Sequence, residues 1–457
     1  MAFIKSISGF RGTIGGKPGD NLTPIDIVKA VTGYGAFLKQ NHAGKRVSVV
    51  LGRDARMSGA MVSSLVEGTL SALGIDVISL GLATTPTVEM AVVGYKAQGG
   101  IILTASHNPK QWNALKLLND KGEFITADNG KQVLSLGESD VVFADVDELG
   151  DLKKGEYLEA HVEAICNLSS VNPEAIQKSN FKVLVDGINS IGAEAIPAIL
   201  KALGVKDFEV INAEMTGDFA HNPEPLKEHL TELCALVKST GADMGIVVDP
   251  DVDRLAFVME NGEMFGEEYT LVAAADHYLK FNSGALVSNM SSSRALADLA
   301  QEKGVPYFSS EVGEVNVVRT MKANNAAIGG EGNGGVILPE LHYGRDSLVG
   351  VGLVLSLMAE SGKSLTEIRA GYQHYEMIKD KINLDPSLDV DALLLKIKEV
   401  YHGEKIDDRD GVKIDLSQGW VHLRKSNTEP IIRVYAEAPT TEIANEMVEN
   451  LKSKLSL

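Results

Sequence analysis

Gly100-Ile101-Ile102-Leu103-Thr104-Ala105-Ser106-His107-Asn108-Pro109 reads as a buried strand that breaks into an open turn. The apolar run has strand length, and the polar residues and proline after it are turn chemistry. Upstream, strand and helix have already alternated twice. Val47-Ser48-Val49-Val50-Leu51 and Val77-Ile78-Ser79-Leu80 are strands, separated by a helix running from about Gly59 to Leu73, and Thr87 to Ala97 is helical again. Before them, Thr23-Pro24 makes an N-cap and first turn, with Ile27, Val28, Val31, Tyr34 and Leu38 following at helical spacing. Strands separated by helices of this length form parallel βαβ units. Ligand sites in such sheets gather where strands end.

The pattern restarts twice. Lys182-Val183-Leu184-Val185-Asp186-Gly187 precedes a helix at Ala193–Leu203, and Gly284-Ala285-Leu286-Val287-Ser288 precedes one at Ser293–Lys303. From about Tyr372 the character changes. A helix at Val390–Tyr401 leads into strands at Val412–Leu416, Trp420–Leu423 and Ile431–Tyr435, and a helix from about Thr441 to Leu455 closes the chain. This predicts three similar α/β domains with mixed or parallel sheets, and a smaller C-terminal α+β domain. The expected boundaries are 1–152, 153–258, 259–371 and 372–457, with bridges at Glu138–Asp151, near Glu260 and at Gly371–Lys381.

Bulk properties agree. A chain of 457 residues exceeds a single core, so three or four domains are expected. The net charge of −19 argues against nucleic acid, whose binding rests on basic contacts to phosphates. No apolar stretch approaches the ~20 residues of a membrane span, and the first residues lack the apolar core of a signal peptide. Two cysteines, Cys166 and Cys234, make no disulfide framework and read as helix-face fillers. A cytoplasmic protein is expected.

The most specific chemical signal is Asp249-Pro250-Asp251-Val252-Asp253-Arg254, directly after the strand Gly245–Val248. Carboxylates crowded at about 4 Å repel by ~1–4 kcal/mol per pair in partly solvated surroundings, so a cation is expected among them. Hard oxygen ligands favour Mg²⁺ or Ca²⁺. An EF-hand is excluded, because Arg254 stands where its loop needs glycine and strands flank the loop. With few protein ligands and room for a phosphate oxygen, Mg²⁺ is the expected metal.

Ser106 needs activation to serve as a nucleophile, and it lies outside the Gly-x-Ser-x-Gly elbow of acyl-transfer hydrolases. Its neighbour His107 is placed to touch a phosphate rather than to relay a proton. Gly329-Gly330-Glu331-Gly332-Asn333-Gly334-Gly335 lacks the lysine of a P-loop; Glu331 and Asn333 suit sugar hydroxyls, and a plain flexible loop competes with that reading. Arg424-Lys425-Ser426-Asn427-Thr428-Glu429-Pro430, with Arg433 beyond, encloses a dianion or is a hairpin decorated with charge. Arg53 and Arg56, at a strand-to-helix junction, read as salt-bridge partners. Lys116, between leucines, either faces water or serves as acid or base near Ser106.

Together Thr104–Pro109, Asp249–Arg254, Gly330–Gly335 and Arg424–Arg433, with Gly9-Phe10-Arg11-Gly12 near the start, resemble the α-D-phosphohexomutases over essentially the whole chain. The resemblance implies three similar domains and a fourth around a central cleft. It implies a phosphoserine at Ser106 and Mg²⁺ held by that residue with Asp249, Asp251 and Asp253. Arg254 then offsets phosphoryl charge, and Arg11 and Lys116 handle protons. Glu331 and Asn333 hold the sugar, and Arg424, Ser426, Asn427, Thr428 and Arg433 hold the idle phosphate. The implied cycle passes through a bound hexose 1,6-bisphosphate. Many relatives have histidine where this chain has Gly335, so another group must take over that role. The expected substrate is glucosamine 6-phosphate, converted to glucosamine 1-phosphate, with phosphomannomutase or phosphoglucomutase activity as the rival. A Mg²⁺-dependent sugar phosphatase is the alternative of another class. The expected assembly is a monomer or homodimer.

Overall fold

A computed structural model describes residues 3–6, 9–383, 390–425 and 431–455. The apolar runs form strands whose ends fall within three residues of their expected places, grouped in four sheets. The first sheet comprises β1 (Phe3–Ser6), β2 (Gly9–Thr13), β3 (Ser48–Arg53), β4 (Asp76–Leu82), β5 (Gly99–Leu103), β6 (Trp112–Leu118) and β7 (Leu152–Lys154), in the order β1-β2-β6-β5-β3-β4-β7. The second holds β8 (Lys182–Asp186), β9 (Asp207–Ile211), β10 (Met244–Val248) and β11 (Leu255–Met259), in the order β11-β10-β8-β9. The third holds β12 (Leu286–Asn289), β13 (Tyr307–Ser310), β14 (Ile328–Glu331) and β15 (Gly335–Ile337), in the order β13-β12-β14-β15.

These three sheets share one wiring. In each, a first strand pairs in parallel with a second on one side and a third on the other, and the third turns back into an antiparallel fourth. That last reversal is the turn after β5 in the first sheet, Asp249–Arg254 in the second and Gly332–Gly334 in the third. Three of the suspected chemical loops are therefore the same turn in three copies. Each lies where a parallel strand ends, as open α/β sheets place their ligands.

The fourth sheet is antiparallel, ordered β16 (Glu376–Asn383), β20 (Ile431–Ala438), β19 (Gly419–Lys425), β18 (Val412–Leu416), β17 (Lys405–Asp407), with the helices Val390–Val400 and Thr441–Leu455 packed with it. The Gly371–Lys381 bridge is shorter than expected, because Glu376 onward is an edge strand. Its charged run, Lys379-Asp380-Lys381, is the kind that keeps a sheet edge from pairing further.

Local chemistry sets the helix starts. Thr84 caps the helix Thr85–Gly94 by accepting from the Thr87 N–H at 3.0 Å, so this helix begins two residues earlier than periodicity suggested. Cys166 and Cys234 are half-buried and free, on helices Leu158–Cys166 and Thr231–Thr240. Among the described residues no helix is long and apolar enough to cross a membrane.

One hydrophobic core runs through the second and third sheets, joined by the helix Ser347–Ser361, whose Leu348 to Met358 are all buried. The first and fourth sheets carry separate cores. A buried polar chain ties the first three units. Thr87 Oγ1 lies 3.0 Å from His161 Nδ1, and His161 Nε2 2.8 Å from Asp346. His342 follows, 3.2 Å from Asp346 and 3.3 Å from Glu89.

Candidate active site

Ser106 sits in the left-handed region, φ 50°, a conformation a serine needs help to hold. The help comes from Asp54 and Arg56, both buried. Thr104 Oγ1 accepts from the Ser106 N–H at 2.9 Å and donates to Asp54 at 2.7 Å. Arg56, 3.0 Å from Asp54, donates to the carbonyls of Ser106, Asn108, Pro109 and Trp112. The salt-bridge pair expected around Arg56 is thus the clamp that shapes the serine loop. Among the described residues the Arg53 side chain takes no part in that clamp; it donates to the Asp54 carbonyl at 3.1 Å.

The turn presents the Ser106 hydroxyl to Asp249 Oδ2, at 2.6 Å. Asp249, Asp251 and Asp253 are fully buried and each offers an oxygen within 4.8 Å of the others. Asp251 Oδ2 accepts from Thr85 Oγ1 at 2.6 Å and Lys116 Nζ at 2.6 Å, and Asp253 Oδ2 from Lys116 at 3.1 Å and Arg345 Nη2 at 2.8 Å. The remaining oxygens, Asp251 Oδ1 and Asp253 Oδ1, are buried and lack a hydrogen-bond partner among the described residues. Free buried carboxylate oxygens beside a third carboxylate fit a hard divalent cation. Burial and the two neighbouring carboxylates push Asp249 well above the usual carboxylate range, a penalty such a cation relieves. Burial acts the same way on Asp253, but Arg345, Lys116 and Arg254 outweigh it and hold it low.

Lys116 does not face water. It is 7% exposed, and although burial disfavours its charge, Asp251 and Asp253 hold the ammonium above its ordinary value. Arg254 places Nη1 3.3 Å from Glu224 and Nε 3.9 Å from Asp249. Arg11 donates to Asn108 Oδ1 at 3.0 Å, and burial followed by repulsion from Arg254 lowers its pKa. His107 Nδ1 lies 3.5 Å from Ser106 Oγ, too far for a strong bond; burial, then Arg254 and Arg11, push its pKa well below the ordinary imidazole value.

Ser106, Arg11, Lys116, Arg254, Glu331 and Arg345 line one cleft of about 650 Å³ between the first and third units. Glu331 accepts from Asn289 at 2.8 Å and the Gly313 N–H at 3.1 Å on Oε1, and from Arg345 Nη1 at 2.7 Å on Oε2. Asn333 is half-buried and accepts from the Gly335 N–H at 3.2 Å; it is not among the cleft's described lining residues. The glycine loop is no flexible tether, because it is anchored at both ends in the sheet. Arg345 was not foreseen, nor was Glu314, 3.3 Å from its Nε. The available signal was Gly344-Arg345-Asp346, charged residues close after the apolar Val336-Ile337-Leu338.

Arg424 and Arg433 stand directly opposite each other on β19 and β20. Arg424 pairs with Asp410 at 2.9 Å, and Arg433 is exposed. Like charges in that register repel unless an anion sits with them. Neither lines the described cleft. Ser426, Asn427 and Thr428 lie outside the described residues.

Four family profiles cover the chain: phosphoglucomutase/phosphomannomutase alpha/beta/alpha domains I, II and III at residues 4–139, 156–262 and 266–375, and the C-terminal domain at 379–454. A "phosphoglucomutase/phosphomannomutase" of Thermococcus kodakarensis is 38% identical, covering 96% of each chain. A "phosphoglucosamine/phosphogalactosamine mutase" of Sulfurisphaera tokodaii is 32% identical over 99% of each. The fold also matches the crystal structure of a phosphoglucomutase/phosphomannomutase family protein from Burkholderia thailandensis, with TM-score 0.83, 23% identity and coverage of 99% and 96%.

Proposed function

The chain belongs to the phosphoglucomutase/phosphomannomutase family, and on that footing we propose that it is a cytoplasmic mutase converting glucosamine 6-phosphate to glucosamine 1-phosphate. The observation that carries the reading is the Ser106 hydroxyl 2.6 Å from Asp249, inside a buried carboxylate trio. Phospho-Ser106 gives its phosphoryl group to the free hydroxyl of a bound hexose monophosphate. The Oγ–P bond breaks as the sugar O–P bond forms, the sugar hydroxyl loses its proton and Oγ regains one. The resulting 1,6-bisphosphate turns over and returns its other phosphate to Ser106. Asp249, Asp251 and Asp253, with Ser106, would hold Mg²⁺, which would supply positive charge to offset that of a phosphoryl group there.

Arg254 adds a second positive charge beside that path. Lys116 is charged at rest and enters the cycle as a proton donor, while Arg11 fixes the serine loop through Asn108. Glu331 and Asn333 grip sugar hydroxyls, and Arg424 and Arg433, with Ser426, Asn427 and Thr428, receive the idle phosphate. The amino sugar is favoured by the Thr428-Glu429-Pro430 ending and by the Sulfurisphaera relative; glucose or mannose phosphate is favoured by the 38%-identical one. Parallel assays with glucosamine, mannose and glucose 6-phosphates, primed with the matching bisphosphate, test the choice. A dominant rate with mannose or glucose phosphate overturns it, and steady release of inorganic phosphate instead of isomer overturns the mutase itself.

A further inference from the structure

Gly335 has an ordinary strand backbone, so conformation does not demand glycine there. Space does. A Cβ at that position would lie 2.3 Å from Cδ and 2.9 Å from Cγ of Arg345, the stem of the side chain rather than its mobile end. The stem is fixed beyond that point as well. Nη1 reaches Glu331 at 2.7 Å and Nη2 reaches Asp253 at 2.8 Å, while at the near end the backbone N–H of Arg345 donates to Glu314 at 3.0 Å. One guanidinium therefore spans the aspartate loop of the second sheet and the glycine loop of the third. It is 7% exposed, so those contacts are made largely out of water.

We propose that Arg345 is the positioning residue that presents Glu331 to the sugar, and that Gly335 is glycine to leave room for it. This rests on the mutase reading above, in which Glu331 grips sugar hydroxyls. With Oε1 taken by Asn289 and Gly313 and one side of Oε2 by Arg345, the carboxylate cannot rotate, and its remaining lone pair on Oε2 has a fixed direction. A lysine at 345 would supply one point charge where a planar fork now reaches several carboxylates.

The test is a cycle of Arg345→Lys, Gly335→Ala and the double variant in the full-length enzyme. It is read by kcat and KM on the preferred hexose phosphate and on analogues lacking one ring hydroxyl. Each single variant is expected to raise KM about tenfold or more, the worth of one charge-assisted hydrogen bond, with a smaller change in kcat. The double variant is expected to be no worse than the poorer single, because both disturb the same contact. The penalty for deleting one of the ring hydroxyls is expected to shrink in both variants, a change that mere loosening of the fold would not produce. Gly335→Ala with wild-type kinetics, additive losses, or unchanged penalties for every analogue would each overturn the proposal. Thermal melts of the same four proteins separate it from the functional reading. If the wild type turns over no hexose phosphate, that reading fails, while additive melting shifts would still refute the steric link between 335 and 345.

Discussion

Ser106 is held out of its preferred backbone conformation by a clamp it does not itself supply, so carrier and clamp should fail differently. Ser106→Ala is expected to lower turnover by about 10³-fold or more while leaving sugar-phosphate affinity close to wild type, measured by coupled assay and by calorimetry. Normal turnover in that variant would remove Ser106 as the phosphoryl carrier. Arg56→Met leaves Asp54 buried without its cation and four carbonyls without their donor. Breaking a buried pair this way costs about 3–5 kcal/mol, so the urea midpoint should fall sharply. A midpoint within error of wild type would show that the clamp is ornamental. Residue types near the site were legible in the sequence. Partners were not: nothing in the spacing of Lys116 and Asp251, or of Arg345 and Glu331, brings them together, because topology alone does so.

Among the elements, those with a strong period or a flanking turn were readable, and those without were not. The strand before Ser106 and the strands around the triple aspartate stand out because apolar runs end abruptly in polar turns. The helix Ser347–Ser361 does not stand out. It is apolar on all sides, and a helix buried all round carries no amphipathic stripe to betray it. The edge strand β16 reads as a linker in sequence because its charges hide its pairing. Yet the unseen helix supports much of the core. Leu353→Ala, at a fully buried position, should cost about 2–5 kcal/mol in urea-induced unfolding. A loss below about 1 kcal/mol would mean that the neighbouring helices collapse into the gap.

For the whole molecule, the polar chain through Thr87, His161, Asp346, His342 and Glu89 makes the joint between units sensitive to pH. Burial disfavours the charged His342 ring, but Asp346 and Glu89 hold its pKa up at about 10, and burial pushes Glu89 up to about 8. Both groups bind their protons more tightly folded than unfolded. The stability they confer is complete below the ordinary carboxylate and imidazole ranges and is lost as pH rises through 8 and then 10. The free energy of unfolding should drop by on the order of 2–4 kcal/mol across that range, and His342→Gln should flatten the upper part of the curve. A profile that is level up to pH 10, or unaltered by the substitution, would exclude the joint as its source.

The continuous core beneath the second and third sheets has a mechanical meaning. The aspartate turn and the glycine turn ride on one chassis, and shifting either against the other would drag oily side chains into solvent. Between them the gauge is set before any ligand arrives. A sugar entering the cleft meets a fixed span, and whatever give the enzyme has must come from the units that keep their own interiors.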